Sequence, residues 1–436
     1  MLSVAFACGL IVFSIEAFAG SVAQPQITKL DNGLKVMVVE DHTATLAAMD
    51  VWLRAGTVNE SESSNGVSHL IEHLIFKGTT RRRPGEMDME IESLGATLEA
   101  ATSKDWARFY TTVPSKHLDK AMDVLADAMM SAQMDEVEFE YERAVVWDEI
   151  ASAESDPTAT AFALLDATAF TKHPYRFPLE GTRESLTKLG RKDVYDYYKR
   201  YYVPSNATLI IIGDVLFARV VESAKKYFGD WKGGAFPITQ ATEETPQTEI
   251  RRAYKKRDTK LAYLVIGYHS PSVASGQESS AMDALLTYLS VGYQSWMSVE
   301  LKDKLKLAQE FAGEYLTHRD PGLLALYAAV PPDKVKETED LILAKLKELS
   351  EKPLSKSDLQ RTKRSLLGTY AFECETFSGR ARSLGFYDAV GNYTVAVEYE
   401  KQINSVTAED VQSVAAKYLK PDTRTVVVIS PEAPPK

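Results

Sequence analysis

Residues 193–209 read DVYDYYKRYYVPSNATL, and a second version of this stretch, DVQSVAAKYLKPDTRTV, occurs 217 residues later at 410–426. The matching positions run through an expected helix, a proline turn and an expected strand, always with the same offset. They are Asp193 with Asp410, Val194 with Val411, Tyr201 with Tyr418, Pro204 with Pro421, Thr208 with Thr425 and Leu209 with Val426. A constant spacing through three successive elements predicts two related domains of about 200 residues each.

The first half of the chain carries the patterns of both strands and helices. Asn32-Gly33 separates two alternating apolar stretches, which predicts a β-hairpin with a two-residue turn. The other predicted elements are strands at 46–53 and 207–212 and helices at about 64–76, 117–134 and 136–153. We therefore expect an α+β fold.

A change of composition marks the expected joint between the two domains. Glycine, proline and acidic residues cluster between Trp231 and Gln247. Such a composition is typical of a connecting segment. We expect a first domain at 24–230, a linker at 231–250 and a second domain at 251–436.

The bulk composition limits the classes of function. With 436 residues, 45% of them apolar, the chain is long enough for two packed cores. Its formal net charge of −11 argues against nucleic-acid binding, which requires a basic surface. The only cysteines are Cys8 and Cys374, and Cys8 lies in an N-terminal segment that we expect to be removed, so we expect no internal disulfide.

The first 23 residues have the pattern of a secretory signal peptide. An almost wholly apolar run ends in Ala17-Phe18-Ala19, and such small residues suit signal peptidase. The segment lacks a basic residue near its start and contains Glu16, so an uncleaved membrane anchor is the alternative. No later run approaches the roughly 18–20 apolar residues of a membrane span. We expect an exported protein, periplasmic or secreted.

The candidate catalytic motif of the chain is the stretch Ser68-His69-Leu70-Ile71-Glu72-His73-Leu74. On a helix, His69 and His73 lie one turn apart on the same face, with Glu72 beside them. Two imidazoles in this arrangement supply half of a tetrahedral zinc site, and the carboxylate can accept a proton from an attacking water. The order H-x-x-E-H is a known peptidase signature.

A catalytic zinc site also needs a third protein ligand and one open position. The predicted helix at 136–153 offers Glu142 and Glu149, which are seven residues apart and therefore two turns apart on one face. One could bind the metal while the other supports a ligand. The same helix carries further acidic residues, so its pattern alone fits a solvated surface better.

Together these stretches resemble the pitrilysin/insulinase family of zinc peptidases, the inverzincins with an H-x-x-E-H motif. The similarity is greatest to the short branch that contains mitochondrial processing peptidase subunits and bacterial homologues. The similar stretches are 65–66, 69–73, 76–79, 142–146, 149–150 and 173–175. The resemblance implies one Zn²⁺ per chain, held by His69, His73 and Glu149, with Glu142 as the supporting acid.

The resemblance also implies an architecture. Each domain would be an antiparallel-rich mixed sheet packed with helices, and the chain would form one half of a clamshell chamber. Two chains would then close the chamber. A homodimer is favoured, and a heterodimer with a related subunit is the alternative.

Residues that assist the substrate are implied in both domains. In the second domain an arginine and a tyrosine seven residues apart correspond to Arg380 and Tyr387, with Arg382 as a competing choice. In the first domain a substrate-binding edge strand is implied, with the residues Leu98, Glu99, Ala100 and Ala101. Glu99 stands where the family usually has asparagine, which favours basic peptides.

The sequence thus predicts a zinc-dependent endopeptidase in which Glu72 is the general base and acid. Its expected substrates are short unfolded peptides or targeting segments, hydrolysed inside the closed chamber. The main alternative is a catalytically silent scaffold or partner subunit of a peptidase complex, and the complete motif argues against it. A metal-binding or peptide-binding module without turnover is a second alternative.

Overall fold

The structure is a computed structural model that describes residues 22–234, 236 and 241–432. The signal-peptide prediction for residues 1–23 therefore lies almost wholly outside the described residues. The strands are β1 (Gln26–Lys29), β2 (Lys35–Glu40), β3 (Leu46–Leu53), β4 (Glu99–Thr102), β5 (Ala107–Pro114), β6 (Ala207–Gly213), β7 (Arg251–Lys256), β8 (Ala262–His269), β9 (Glu310–Tyr315), β10 (Leu323–Val330) and β11 (Thr425–Ser430).

Helices make up most of the remaining structure. Those before β7 are α1 (Val67–Leu74), α2 (Glu86–Glu92), α3 (Leu118–Ser131), α4 (Glu136–Ser155), α5 (Pro157–Ala169), α6 (Arg183–Lys188), α7 (Arg191–Tyr201) and α8 (Phe217–Phe228). Those after it are α9 (Gln277–Ser290), α10 (Val335–Glu351), α11 (Lys356–Glu373), α12 (Phe377–Val390), α13 (Thr394–Ser405) and α14 (Ala408–Tyr418). A π-helical segment covers Met297–Lys304.

The first sheet has the strand order β1-β2-β6-β3-β5-β4. The pairing of β2 with β6 is parallel, and the other four pairings are antiparallel. The predicted hairpin is present, but the two-residue turn is wrong: Lys29 pairs with Lys35 and the Leu30 N–H donates to the Leu34 carbonyl, so residues 31–33 form the turn. Gly33 in this turn has a φ of +98°, which glycine adopts without strain. At the far edge, β4 pairs with β5 on one side only among the described strands.

The second sheet repeats this topology. Its order is β7-β11-β8-β10-β9, with one parallel pairing between β7 and β11 and antiparallel pairings elsewhere. The strands therefore correspond to β2, β6, β3, β5 and β4 in turn. The prediction of an α+β fold with two related, antiparallel-rich mixed sheets is confirmed. The domain limits at 24–230, 231–250 and 251–436 stay a prediction.

Each sheet is covered on one face by its own domain and on the other by a helix of the opposite domain. Ala381 and Leu384 of α12 pack on the first sheet at Trp52 and Ile210, all of them buried. Leu165 of α5 packs on the second sheet in the same way. This reciprocal exchange joins the two domains through apolar clusters.

Within the described ranges, no helix combines the length and the apolar content that a bilayer crossing requires.

Candidate metal centre

The helix that carries the two histidines begins at Val67, because Gly66 before it has a left-handed φ of +93°. A side chain is excluded there, since a Cβ would lie 2.8 Å from the Glu180 carbonyl oxygen. The buried carboxylate of Glu60 accepts hydrogen bonds from the backbone N–H groups of Gly66 (2.8 Å) and Ser68 (2.9 Å). These contacts satisfy the first N–H groups of α1 and fix its direction.

The three predicted metal ligands converge. Glu149 Oε2 is 3.7 Å from His69 Nε2 and 3.5 Å from His73 Nε2. The two imidazole rings meet edge to face, with centroids 4.8 Å apart. Among the described residues, these three form the one group of histidine, cysteine or acidic side chains whose ligand atoms all lie within 4.8 Å of one another.

These distances fit a zinc ion. Bonds of about 2.1 Å to tetrahedral N and O ligands place the ligand atoms about 3.4 Å apart. The His69 and His73 side chains are 12% and 17% exposed, and that of Glu149 is 44% exposed, so the site is open to solvent on one side. Burial, helped by the charge of His73, lowers the pKa of His69 to about 4. The imidazole is therefore neutral at neutral pH, as a metal ligand must be.

Glu142 lies behind this group and orients one of its members. Its Oε2 is 3.0 Å from His73 Nδ1, and its Oε1 is 2.9 Å from Lys77 Nζ. The Glu142 side chain is only 4% exposed. A carboxylate on Nδ1 fixes the tautomer in which Nε2 carries the free lone pair, which points the ring toward a metal.

Glu72 lies on the same helix and is directed toward the edge strand. Helix α1 packs between α4 and β4. Burial raises the pKa of Glu72, against an opposing effect of Thr102 at the end of β4. A carboxyl group with a raised pKa is a stronger base near neutral pH, which is the property a general base requires.

The edge strand begins at Glu99, one residue after the predicted start at Leu98, which instead packs against the first core. The Tyr110 hydroxyl donates a 2.5 Å hydrogen bond to the exposed carboxylate of Glu99. Burial, together with Glu99, raises the pKa of Tyr110 to about 12. An open cleft of about 760 Å³ runs beside this strand, and its lining includes Glu99, Arg108 and Arg382.

Arg380 and Tyr387 lie between the domains rather than in that cleft. Arg380 Nη1 forms an ion pair of 2.7 Å with Asp41 Oδ2. Tyr387 packs against the ring of Phe386, and burial raises its pKa well above the usual value. The role of this pair toward substrate stays a prediction. Arg382, the competing choice, is the one that lines the cleft.

Three residues of the site were not predicted from the sequence as site residues. Glu60 caps the metal helix, Lys77 pairs with Glu142, and Thr102 adjoins Glu72. Each acts through a contact between separate elements. Only Lys77 could have been suspected, since it lies in the stretch 76–79 that resembles the family.

Comparisons with known proteins identify the family of the chain. The family model described as "Insulinase (Peptidase family M16)" matches residues 35–183, and the one described as "Peptidase M16 inactive domain" matches residues 188–366. The chain is 28% identical over 410 residues to "Zinc protease PqqE" of Helicobacter pylori, with 92% of each chain covered. It is 28% identical over 424 residues to "Mitochondrial-processing peptidase subunit beta" of Mus musculus, covering 94% of this chain and 85% of the relative.

Solved structures of peptidases share the fold of this chain. A structure described as a protease from Helicobacter pylori superposes with a TM-score of 0.90 at 28% identity, covering 94% of this chain and 100% of the other. A peptidase M16 inactive domain from Pseudomonas fluorescens shares the fold, with a TM-score of 0.86 at 16% identity over 95% of this chain and 100% of the other. The chain belongs to the insulinase family of peptidases, peptidase family M16.

Proposed function

We propose that the protein is a zinc-dependent endopeptidase. The observation that carries the proposal is the convergence of His69, His73 and Glu149 at distances that suit one tetrahedral ion. The name "Zinc protease" of the Helicobacter pylori relative supports zinc over other divalent metals. The ligand types are also those that zinc prefers.

When bound, zinc polarises the scissile carbonyl and acidifies the attacking water. The chain supplies the remaining chemistry. Glu72 accepts a proton from the attacking water and delivers it to the leaving amine, as a general base and then a general acid. Glu142 holds His73 in one tautomer and one orientation through the 3.0 Å contact with Nδ1, so the ligand needs no rearrangement.

The substrate would bind as an added strand. Among the described strands, β4 lies at the edge of the first sheet next to Glu72, and an extended peptide can pair with its backbone by β-augmentation. The exposed carboxylate of Glu99 in the adjoining cleft favours peptides with basic side chains. Such pairing needs an extended backbone, so short unfolded peptides or targeting segments are the expected substrates.

We further propose that two chains enclose the substrate, each as one half of a clamshell. A homodimer is favoured because the chain carries the metal ligands together with the arginine and tyrosine of the second domain, Arg380 and Tyr387. The relative named as a "subunit beta" makes a heterodimer the alternative. The N-terminal pattern favours export to the periplasm or the medium.

The competing proposal is a catalytically silent partner subunit, and one substitution separates the two. In Glu72→Gln the ligands remain, so zinc stays at one ion per chain while hydrolysis of a quenched peptide falls by about 10³-fold or more. Glu222→Gln makes the same chemical change at an exposed position of α8, away from the metal centre and the cleft, and is a matched control that should keep both zinc and activity. Full activity in Glu72→Gln, or activity that resists a chelator, would refute the enzyme proposal.

A further inference from the structure

A polar cluster outside the metal centre lies where the two domains meet, at the end of the substrate strand. We call it the interdomain node and define it by Asp105, His173, Tyr175, His318 and Asp320. Its members come from three separate places: the turn between β4 and β5, the turn after α5, and the connection between β9 and β10 of the second domain.

Asp105 is the centre of the node. Its Oδ1 accepts a 2.6 Å hydrogen bond from the Tyr175 hydroxyl, and its Oδ2 is 2.8 Å from His318 Nδ1. The backbone N–H of Arg319 also donates to Oδ2, at 3.3 Å. Asp105 is 2% exposed and Tyr175 is fully buried, so water does not compete for these bonds.

A second set of contacts closes the node from the other side. The Asp320 backbone N–H donates to the Tyr175 hydroxyl at 3.2 Å, and Asp320 Oδ2 is 3.3 Å from His173 Nε2. His173 Nδ1 accepts from the Tyr175 backbone N–H at 3.2 Å. Because Nδ1 is an acceptor, Nε2 carries the proton and donates it to Asp320.

The node joins two loops that correspond in the internal repeat. The β4–β5 turn and the β9–β10 connection are the same connection in the two domains, since β4 and β5 correspond to β9 and β10. The first-domain loop is held further by Lys104, whose Nζ donates to the Tyr175 carbonyl at 2.7 Å and whose own carbonyl accepts from the Val58 N–H at 2.8 Å.

The strand that precedes this turn is short and, among the described strands, pairs only with β5. β4 has four residues, which pair with β5 from Glu99 opposite Tyr110 to Thr102 opposite Ala107. A four-residue edge strand is weak by itself. The contacts that fix its turn, three residues beyond Thr102, therefore add to the support that β4 receives from β5 and α1.

We propose that the second domain holds the substrate strand in place through this node, with Asp105 and His318 as positioning residues. A strand that is ordered before the peptide arrives loses less conformational entropy on pairing, which strengthens binding. The proposal rests on the proposed function for the identity of the ligand. The claim that the node orders β4 does not depend on the proposed function.

Hydrogen exchange on the full chain tests whether the node orders β4, and this measurement requires no enzymatic activity. We expect His318→Ala and Asp105→Asn to speed exchange of the amides in residues 99–106 by about tenfold or more, because local opening becomes easier. Exchange in α1 and β10 should stay as in the wild type. Glu339→Gln is the control, because Glu339 is equally buried and pairs with Arg252 of β7, at the opposite edge of the second sheet.

The outcome that overturns the proposal is either no change in residues 99–106 or an equal change throughout the first domain. His318→Gln retains a side-chain donor toward Asp105 and should restore most of the protection. If Glu339→Gln accelerates exchange in residues 99–106 as much as His318→Ala does, the node has no special connection with β4.

A kinetic comparison links the node to substrate. For a quenched peptide of about ten residues, long enough to pair with β4, His318→Ala should raise KM about tenfold with kcat and zinc content unchanged. A peptide of about four residues should show less than a twofold effect. Equal effects on both peptides would contradict positioning. A wild-type chain that neither binds zinc nor cleaves either peptide would refute the proposed function alone. The hydrogen-exchange result would still show whether the node orders β4.

Discussion

Replacing Glu142 by glutamine should weaken zinc binding without touching a metal ligand. The change removes the charge that lies 3.0 Å from His73 Nδ1, in a position where the Glu142 side chain is 4% exposed and that of His73 is 17% exposed. A hydrogen bond to a charged group contributes about 1.5–3 kcal/mol, and water is largely excluded here. At about 1.4 kcal/mol per tenfold, the zinc affinity should fall by about 10- to 100-fold.

The assay is competition for zinc between the apoprotein and a fluorescent chelator, with the thermal stability of the apoprotein measured alongside. Glu154→Gln is the matched control, because it removes one carboxylate from an exposed position of the same helix. Its zinc affinity should stay within about twofold of the wild type. An unchanged affinity in Glu142→Gln, or an equal loss in Glu154→Gln, would refute the role of Glu142.

Three further predictions concern stability and assembly. Gly385→Ala should lower the free energy of unfolding by about 2–3 kcal/mol, because a Cβ would lie 2.1 Å from the buried Trp52 Nε1; Gly368→Ala in α11, with open space around it, should be neutral or stabilising in the same denaturant titration. Burial raises the pKa of Glu244, but the backbone N–H groups of residues 171–173 donate to its carboxylate and lower the pKa from 4.5 to about 2. The contribution of Glu244 to the free energy of unfolding is therefore present above pH 4.5 and is lost as the pH falls from 4.5 to 2. Glu244→Gln should therefore lower stability by about 2 kcal/mol at pH 7, and a difference that persists at pH 2 would contradict this. Sedimentation equilibrium should give twice the mass of one chain, and a monomer at micromolar concentration would contradict the homodimer.

The sequence was most informative where periodicity alone decides geometry. The spacing of His69 and His73 on a helix, and the offset of 217 residues between the two halves, required no knowledge of distant contacts. The strand at Leu46–Leu53 was predicted with its observed limits. The metal helix, Val67–Leu74, is shorter than the predicted 64–76. It starts later than predicted because Gly66 takes a left-handed conformation that an α-helix does not adopt.

The sequence did not predict contacts between residues that lie far apart along the chain. The pattern of α5 and α12 gives no sign that each helix covers the sheet of the opposite domain. Glu60 looks like a solvated loop residue, although its carboxylate is buried under the metal helix. The position of Arg380 depends on its ion pair with Asp41, which lies in a loop of the other domain.

The most direct test of the central claim is the metal content of purified protein, measured together with peptide hydrolysis. We predict one zinc per chain in the wild type, with loss of zinc and activity together in Glu149→Ala and on chelation, and recovery of activity when zinc is restored. Peptide hydrolysis by a metal-free chain, or a zinc content that is the same in Glu149→Ala as in the wild type, would contradict the account.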